Sequence, residues 1–592
     1  MSTPSDITPT HPLEHEGKVS GIVIPFVGRR KRFGAGLIAI SNTLLPQSAA
    51  SRNANVNDRV YMDRLGPSDQ QLKLKTYRLR VDRAKENDER PLPPHHDNGD
   101  ESRYANKIGT DTRGLPHNSI GEVDLVAWSS LKRALTTQDP ADFDKVILGG
   151  TRKLVNPLGA LALNLQGASS NQFSVPPAPA IASAEKAAEA VELYWQSLLR
   201  DVPFHEYRND TSHALVRAAA NELTQLSGYT GPRDANGRVT PELLFRGTAR
   251  YHDPVDQSGH AVRHVVPVGI TTGPYISQFV FLDTPYGASA IPALLGTPLP
   301  GSDFLGHYDE WLATQNGQAP IHQLRFDPRR RYLHTGRDLA EFARGVSGLW
   351  SALQLLSTAP SLDPLRIGGI GAPLNPRNPY LCKFSTSTAA DCFQSWLPLG
   401  NTRETRSTHW LKWFVHRTPR PEAYGGLIHN LLVNKVGQPI HPDVLNTEAL
   451  ARSHRRFGSH LLTSAYPEGA PNHGAYPGSA ASSAAVQATL LKAFFDEDAP
   501  FPNPVQPDPN NPTKLIPYTG PALTIGGELN KLATNIGMGR NWAGIHWRSD
   551  TAASLPLAED IAIAMLRDER LTFREPFDGF SFTRFDGSRV KI

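Results

Sequence analysis

Cysteine is nearly absent from this chain of 592 residues, which holds only Cys382 and Cys392. Two cysteines exclude a disulfide framework, and one bridge closing a short loop or two free thiols both remain open. No apolar run is long enough to span a bilayer, so we expect a soluble protein without a membrane span. The 61 basic and 57 acidic residues leave a net charge of only +4, which is too balanced to indicate a nucleic-acid-binding protein.

The N-terminal segment 28–51, "GRRKRFGAGLIAISNTLLPQSAAS", places basic residues before a mildly apolar run and small residues. That order is typical of an export signal. The segment begins late, however, and Asn42 and two serines dilute its apolar part. An exported protein and a cytoplasmic protein with a flexible N-terminal arm therefore both remain open.

Helical periodicity dominates the chain, whereas strand-like runs such as residues 264–270 are few and short. One apolar face of the helix predicted over residues 183–202 is formed by Val191, Tyr194, Trp195, Leu198 and Leu199. Further helices are predicted over residues 213–228, 337–357, 479–498, 527–547 and 557–570. The 50 prolines and 48 glycines indicate long irregular connections between them.

These patterns predict a mainly α fold, a large helical-bundle protein with long Pro/Gly-rich connections and few short strands. Residues 1–100 are polar and proline-rich, and we expect them to form a partly flexible N-terminal arm. Residues 101–345 are expected to form an N-terminal helical half. Residues 346–592 are expected to form a C-terminal helical bundle that carries the candidate site.

Three short segments of the last third carry the residues that suggest chemistry. The first, "LKWFVHRTPRPEAYGG", holds Lys412 and Arg420, and the third, "GRNWAGIHWRSD", holds Arg540 and His546. Guanidinium groups bind oxyanions bidentately and an ammonium supplies a point charge. Between them lies the loop "EGAPNHGAYPGSAA", which leads into a predicted helix whose N-terminus offers backbone N–H donors. Together the segments predict a site for a tetrahedral oxyanion.

The third segment also predicts how its residues are arranged. Continued as one helix, it places Arg540 and His546 less than two turns apart on neighbouring faces. His546 and Asp550 are four residues apart and would share a face, so the carboxylate could orient or polarise the imidazole.

The order of these segments resembles the superfamily of vanadium haloperoxidases and acid phosphatases. Within it, the chain is most similar to the algal vanadium bromoperoxidases, a branch also found in cyanobacteria. Seven residues separate Lys412 from Arg420, as in the algal type. The segments "HRTPRPEAYGG", "EGAPNHGAY" and "GELNKLATNIGMGRNWAGIHW" also look like that branch.

The resemblance implies vanadate as the cofactor, with phosphate able to occupy the site in its absence. Carried over by position, Lys412, Arg420 and Arg540 bind the vanadate oxygens, and His546 is the axial ligand to vanadium. In the family the loop supplies Ser-Gly-His, whose histidine acts as acid and base. Here that triplet is replaced by Gly478, Ser479 and Ala480. We expect the Ser479 N–H to keep its contact with the cofactor, Ser479 Oγ to replace the hydroxyl in part, and the histidine to have no counterpart in the triplet.

Three other histidines match positions of the algal branch. His473 could take over proton transfer, directly or through water, or could be a structural loop histidine. We expect His416 to contact the residues that bind the anion rather than the anion itself, or to have only a packing role. His409 occupies the position at which the algal branch has a residue that influences how halide is bound or used.

The resemblance implies a vanadate-dependent haloperoxidase that oxidises bromide or iodide with hydrogen peroxide to hypohalous acid, with activity altered or reduced by Ala480. Two alternatives share the site: a non-catalytic oxyanion-binding relative, and an acid-phosphatase-like phosphomonoester hydrolase with His546 as the nucleophile. The organic acceptor stays open. Relatives of the algal type assemble as homo-oligomers, so a dimer or a dodecamer of dimers is expected.

Overall fold

The structure is a computed structural model that describes residues 56–253, 260–345, 348–358, 369–376, 385–573 and 578–592. The chain divides into two compact units, Met1–Thr76 and Tyr77–Ile592. The segment 28–51 and the side chains of Cys382 and Cys392 lie outside the described residues. The questions of export and of a disulfide therefore stay open, and the domain boundaries at residues 100 and 345 stay predictions.

The mainly α fold is confirmed, and most described residues of the first half that have regular structure are helical. The α-helices there are α1 (Val56–Asp88), α2 (Asp100–Arg103), α3 (Leu125–Thr137), α4 (Pro140–Phe143), α5 (Ala184–Leu199), α6 (Ala214–Gln225), α7 (Tyr308–Gln315), α8 (Gly336–Phe342) and α9 (Gly348–Ser357). Short 3₁₀ turns lie at Leu158–Leu161, Ser170–Gln172, Phe204–Glu206 and Gln278–Val280. Helix α1 was not predicted, because its sequence has no apolar period of 3.6 residues.

The C-terminal half forms the helical bundle. Its helical elements are α10 (Ser385–Trp410), a π-helical turn (Leu411–His416), α11 (Pro421–Leu432), α12 (Pro442–Leu445), α13 (Glu448–Phe457), α14 (Ser479–Phe494), α15 (Ile525–Trp542) and α16 (Arg548–Arg570). Helix α14 packs against α10, α15 and α16, and its run of alanines and serines lets these helices approach closely. Central α14 thus brings the three predicted segments to one place.

The strands form two-stranded antiparallel ladders at the margins of the helices. The pairs are β1 (Ala249–His252) with β2 (Val262–Val265), β3 (Thr284–Tyr286) with β4 (Ser289–Ile291), β5 (Val505–Asp508) with β6 (Asn511–Pro517), and β7 (Ser581–Thr583) with β8 (Arg589–Lys591). In the register of the first pair, Ala249 lies opposite Val265 and His252 opposite Val262.

Glycines interrupt two of the predicted helices. Residues 337–357 form the two helices α8 and α9 rather than one, and Gly345, a poor helix former, lies between them. Helix α15 ends at Trp542, because the chain turns at Gly544 with a φ of 80°. A β-carbon at Gly544 would also lie 2.5 Å from the carbonyl oxygen of Thr463. The turn frees residues 543–547 to cross the end of the bundle.

Helix α5 fixes the start of helix α16. All five residues of its predicted apolar face are buried, and so are the charged side chains of Lys186, Glu189 and Glu192. Glu192 accepts from Arg548 Nε at 2.8 Å, and Glu189 accepts from the backbone N–H of Ser549 at 2.5 Å. A buried ion pair and a carboxylate at a helix N-terminus both restrict where α16 begins. They therefore hold the segment that contains His546.

Candidate oxyanion-binding site

Lys412 lies in the π-helical turn and its side chain is fully buried. Its Nζ donates to the carbonyl oxygen of Ala475 at 3.2 Å and lies 3.4 Å from Nδ1 of His473. Burial, together with the charge of Arg420, lowers the pKa of Lys412 well below its usual value. An anion placed beside this ammonium would oppose both effects and favour its charged form.

Arg420 is the N-cap residue of helix α11, where Pro421 follows it at the first helical position. Its guanidinium is buried and spreads across the site: Nε donates to the carbonyl oxygen of His473 at 3.0 Å, and one Nη donates to the carbonyl oxygen of Ile545 at 2.9 Å. The same Nη lies 2.9 Å from Nε2 of His546. Burial lowers the pKa of Arg420 to about 10, so the group is still a cation at neutral pH.

His546 and Asp550 are in contact, but not on one helix face as predicted. The turn after α15 leaves His546 outside both helices, and Asp550 lies in the first turn of α16. Nδ1 of His546 lies 2.7 Å from Oδ2 of Asp550, which also accepts from the backbone N–H of Trp547 at 2.9 Å. Because Nδ1–H donates to the carboxylate, the lone pair of Nε2 faces Arg420. That nitrogen can therefore bind a ligand atom.

Arg540 approaches the same region from the last turn of α15. Its guanidinium lies over the ring of Tyr466, with its central carbon 5.3 Å from the ring centroid, and one Nη donates to the Tyr466 hydroxyl at 3.4 Å. Its Nε is buried and has no hydrogen-bond partner among the described residues. The sequence predicted Arg540 and His546 to lie on neighbouring faces of one helix, but the helix ends between them.

Lys412, Arg420 and Arg540, the cation cluster, share one feature that is unusual for lysines and arginines inside a protein. In the described part of the chain, no carboxylate lies within ion-pair distance of any of the three. Their hydrogen bonds go to backbone carbonyls, to histidine rings and to a tyrosine hydroxyl. Lys412 and Arg420 are buried and Arg540 is partly buried. Buried cations without a carboxylate in ion-pair contact are costly, so the arrangement fits an anion that supplies negative charge.

The loop before α14 passes directly beside these groups. The N–H of Gly478, the N-cap residue, donates to the carbonyl oxygen of Asp550 at 3.1 Å. Residues 472–478 are buried, whereas Ser479 and Ala480 are partly exposed. Ser479 begins the helix, so its N–H has no acceptor one turn earlier within it. The donors left for a bound group therefore begin at Ser479, while the Gly478 N–H is already used within the protein.

The three further histidines are all buried, and His473 lies closest to the cation cluster. Its ring lies 3.1 Å from an Nη of Arg420, whereas its Nδ1 also lies 2.9 Å from the carbonyl oxygen of Gly474. Burial and the neighbouring cations Lys412 and Arg420 lower the pKa of His473 well below its usual value. The charges around this ring thus oppose adding a proton to it.

His409 and His416 lie on either side of Lys412 along the chain. The His409 ring packs edge-on against the His473 ring with centroids 5.3 Å apart, and burial lowers the pKa of His409 to about 4. The His416 ring packs edge-on against Tyr476 at 5.0 Å, and burial lowers its pKa to about 3. Of the two, His409 is therefore the one that contacts His473.

Two carboxyl groups near the site were not found from the sequence. Glu404 is fully buried on α10 and accepts from Ser479 Oγ at 3.3 Å. Asp111 comes from the first half, and its N–H donates to the carbonyl oxygen of Arg417 at 2.6 Å. Burial raises the pKa of Asp111 to about 6, and the charge of Arg420 opposes this rise most. The spacing of Glu404, Thr408 and Lys412, four residues apart each time, was the one available signal for Glu404.

Several known proteins are similar to this chain in sequence. A vanadium-dependent bromoperoxidase of Ascophyllum nodosum is 32% identical over 514 residues, which cover 81% of this chain and 86% of that protein. The chain belongs to the vanadium-dependent haloperoxidase family. A bromoperoxidase of Corallina pilulifera is 27% identical over 85% of the chain and 95% of that protein. Residues 454–574 match the family model described as the VCPO second helical-bundle domain.

The fold of this haloperoxidase relative is also shared with a solved structure. The homohexameric structure of the second vanadate-dependent bromoperoxidase from Ascophyllum nodosum superposes with a TM-score of 0.75 at 26% identity. The match covers 92% of this chain and 93% of that chain. Within the described residues, every helix is either too short or too polar to cross a membrane.

Proposed function

We propose that the chain is a vanadate-dependent haloperoxidase that uses hydrogen peroxide to oxidise bromide or iodide to hypohalous acid. The observation that carries this proposal is the cation cluster of Lys412, Arg420 and Arg540, without acidic partners among the described residues and close to Nε2 of His546. The names of the relatives, which are vanadium-dependent bromoperoxidases, support the choice of anion and reaction.

The residues present fit vanadate. Lys412, Arg420 and Arg540 would hold its oxygens, the N–H of Ser479 would add a neutral donor, and Nε2 of His546 would ligate the metal. When bound, vanadate supplies a Lewis acid that activates peroxide for attack by halide without a change in its own oxidation state. Its charge also replaces the carboxylates that the cations lack.

The chain's own groups have separate tasks. Asp550 holds the His546 ring with Nε2 facing the cations. Lys412, Arg420 and Arg540 stabilise negative charge, and at the buried Lys412 and Arg420 such interactions are stronger than in water. His409, which lies beside His473, would influence halide handling. His416, packed on Tyr476, would support the turn that carries Lys412.

The experiment that tests the proposal follows bromide oxidation. Purified protein is stripped of bound anion, reconstituted with vanadate, and assayed for bromination of monochlorodimedone with peroxide and bromide. Vanadate-dependent turnover that is lost in His546→Ala supports the proposal. Vanadate binding by calorimetry without turnover under any halide contradicts it.

Oxyanion binding without turnover is the second candidate, because Ala480 removes the loop imidazole and the Gly478 N–H is already used by Asp550. Phosphomonoester hydrolysis on the same site would need a leaving-group acid, which Ala480 also removes. Hydrolysis of p-nitrophenyl phosphate in the same preparation distinguishes phosphomonoester hydrolysis from oxyanion binding without turnover.

We also propose a homo-oligomer, in line with the hexameric relative. Light scattering coupled to size-exclusion chromatography measures its mass.

A further inference from the structure

The carboxyl group of Glu404 is surrounded by hydroxyl groups and one more distant ammonium. Oε1 accepts from Thr408 Oγ1 at 2.6 Å and from Ser479 Oγ at 3.3 Å, while Oε2 accepts from Thr405 Oγ1 at 3.3 Å. Ser482 of α14 also hydrogen-bonds to this group, and the charge of Lys412 acts on it. In the described part of the chain, no cation lies within ion-pair distance of Glu404.

This carboxyl is unusual for a structural role. A buried carboxylate is normally paired with a cation, because an unpaired buried charge is costly. Burial raises the pKa of Glu404 to about 7, and the hydroxyls of Thr408, Ser482 and Ser479, with the Lys412 ammonium, oppose the rise. A group with that pKa exchanges its proton near neutral pH, where general acids and bases act best.

The position of Ser479 connects this carboxyl to the site. Ser479 follows Gly478, whose N–H is held by the carbonyl of Asp550, the partner of His546. Ser479 and Ala480 are also the two residues where the buried loop becomes partly exposed. The Ser479 hydroxyl therefore connects the buried Glu404 carboxyl to a partly exposed position at the start of α14.

His473 is a poorer proton acceptor than this pair. Its ring lies 3.1 Å from a guanidinium nitrogen of Arg420 and 3.4 Å from the Lys412 ammonium, and both charges oppose protonation. Glu404, by contrast, becomes neutral when it accepts a proton, which suits its fully buried position.

We propose that Ser479 and Glu404 together form a proton relay that replaces the loop histidine missing at Ala480. The relay rests on the haloperoxidase function proposed above. The O–H bond of hydrogen peroxide breaks and its proton passes to Ser479 Oγ, while the Ser479 hydroxyl proton passes to Oε1 of Glu404. Peroxide is left with one negative charge next to Lys412 and Arg420, and the Glu404 carboxylate becomes a carboxylic acid. The proton returns by the reverse path when the reduced oxygen leaves as water and hypobromite is released. One further proton, taken from the solvent, converts hypobromite to hypobromous acid.

Ser479 is the member that touches substrate, and Glu404 acts through it. The test compares Glu404→Gln, Glu404→Asp and Ser479→Ala with the matched control Ser483→Ala, one turn further along α14, whose hydroxyl donates to Asn401 at 2.7 Å. We expect kcat for bromide oxidation to fall roughly 100-fold or more in Glu404→Gln and Ser479→Ala. The acid limb of the pH profile should disappear in Glu404→Gln and return in Glu404→Asp, and Ser483→Ala should match the native protein.

Two further readouts do not depend on turnover. Infrared difference spectra of the vanadate-free protein should show a carboxylic acid C=O band that titrates near neutral pH. This band should be absent in Glu404→Gln and shifted in Ser479→Ala. Calorimetry should give vanadate affinities within about threefold of the native value for both variants, which shows that they fold and bind.

The outcomes separate the relay from the function on which it rests. Native turnover with an unchanged kcat and pH profile in Glu404→Gln overturns the relay and leaves the haloperoxidase proposal standing. Vanadate binding without native turnover overturns the function, and the relay with it. A missing infrared titration in the native protein overturns the relay whatever the kinetics.

Discussion

Asp550 accepts the Nδ1–H of His546 at 2.7 Å and thereby decides which imidazole nitrogen faces Arg420. The carboxylate itself is held by the N–H of Trp547 at 2.9 Å. The loop that leads into α14 is fixed to the same residue through the Asp550 carbonyl. One residue thus positions the histidine, the loop and the start of α16.

Asp550→Asn tests that relationship. The amide cannot accept as strongly from Nδ1–H and can present its own N–H instead, which favours the tautomer with the proton on Nε2. We expect vanadate affinity to fall about 10- to 100-fold, as for other residues that orient a metal-bound histidine. Calorimetric titration measures it, and Asp550→Glu, which keeps the charge, should recover part of the loss. An unchanged affinity in Asp550→Asn would contradict the orienting role.

Gly478→Ser restores the hydroxyl that the loop lacks. The residue has an ordinary φ of −83°, and a β-carbon there would lie 3.4 Å from the Asp550 carbonyl oxygen, a normal contact. A hydrogen bond to a charged group is worth about 1.5–3 kcal/mol, so vanadate should bind about 10-fold more tightly or better. Gly437→Ser serves as the control, because a β-carbon on that glycine would meet no atom within 4 Å. Weaker binding in Gly478→Ser would mean that the loop does not face the anion.

Glu192→Gln tests how the site is held in place. Arg548 and Glu192 are both about 1% exposed at their side chains, so the substitution would leave a buried arginine charge without its partner. Loss of one member of a buried pair costs about 3–5 kcal/mol of the free energy of unfolding. Urea denaturation measures it against Glu448→Gln, which breaks a surface pair with Arg452 and should cost less than about 1 kcal/mol. Equal losses in the two variants would contradict this difference.

The sequence could predict several of the helices and the residues of the cation cluster, because both depend on local spacing and on recognisable motifs. It could not predict that α15 ends at Trp542, since the turn depends on how Gly544 meets the carbonyl of Thr463 from another part of the chain. The contact of His546 with Asp550 was predicted, but its geometry was wrong for the same reason. Glu404 was missed because a single glutamate in a helix looks like a surface residue until packing buries it.

The last prediction concerns the pH dependence of stability. The folded pKa of Glu404, about 7, lies above its ordinary value of 4.5 in an unfolded chain. The native state therefore binds this proton more tightly. The stability contributed by the group is complete below pH 4.5 and is lost as the pH rises through about 7.

Glu404→Gln keeps the shape of the protonated side chain and cannot ionise. As the pH rises from about 5 to about 8, the variant should gain stability relative to the native protein by up to about 3 kcal/mol. Denaturation midpoints at several pH values in vanadate-free buffer measure the difference. Glu448→Gln, at an exposed position, should show no such trend. A difference between Glu404→Gln and the native protein that stays constant with pH would mean that Glu404 remains charged inside the bundle.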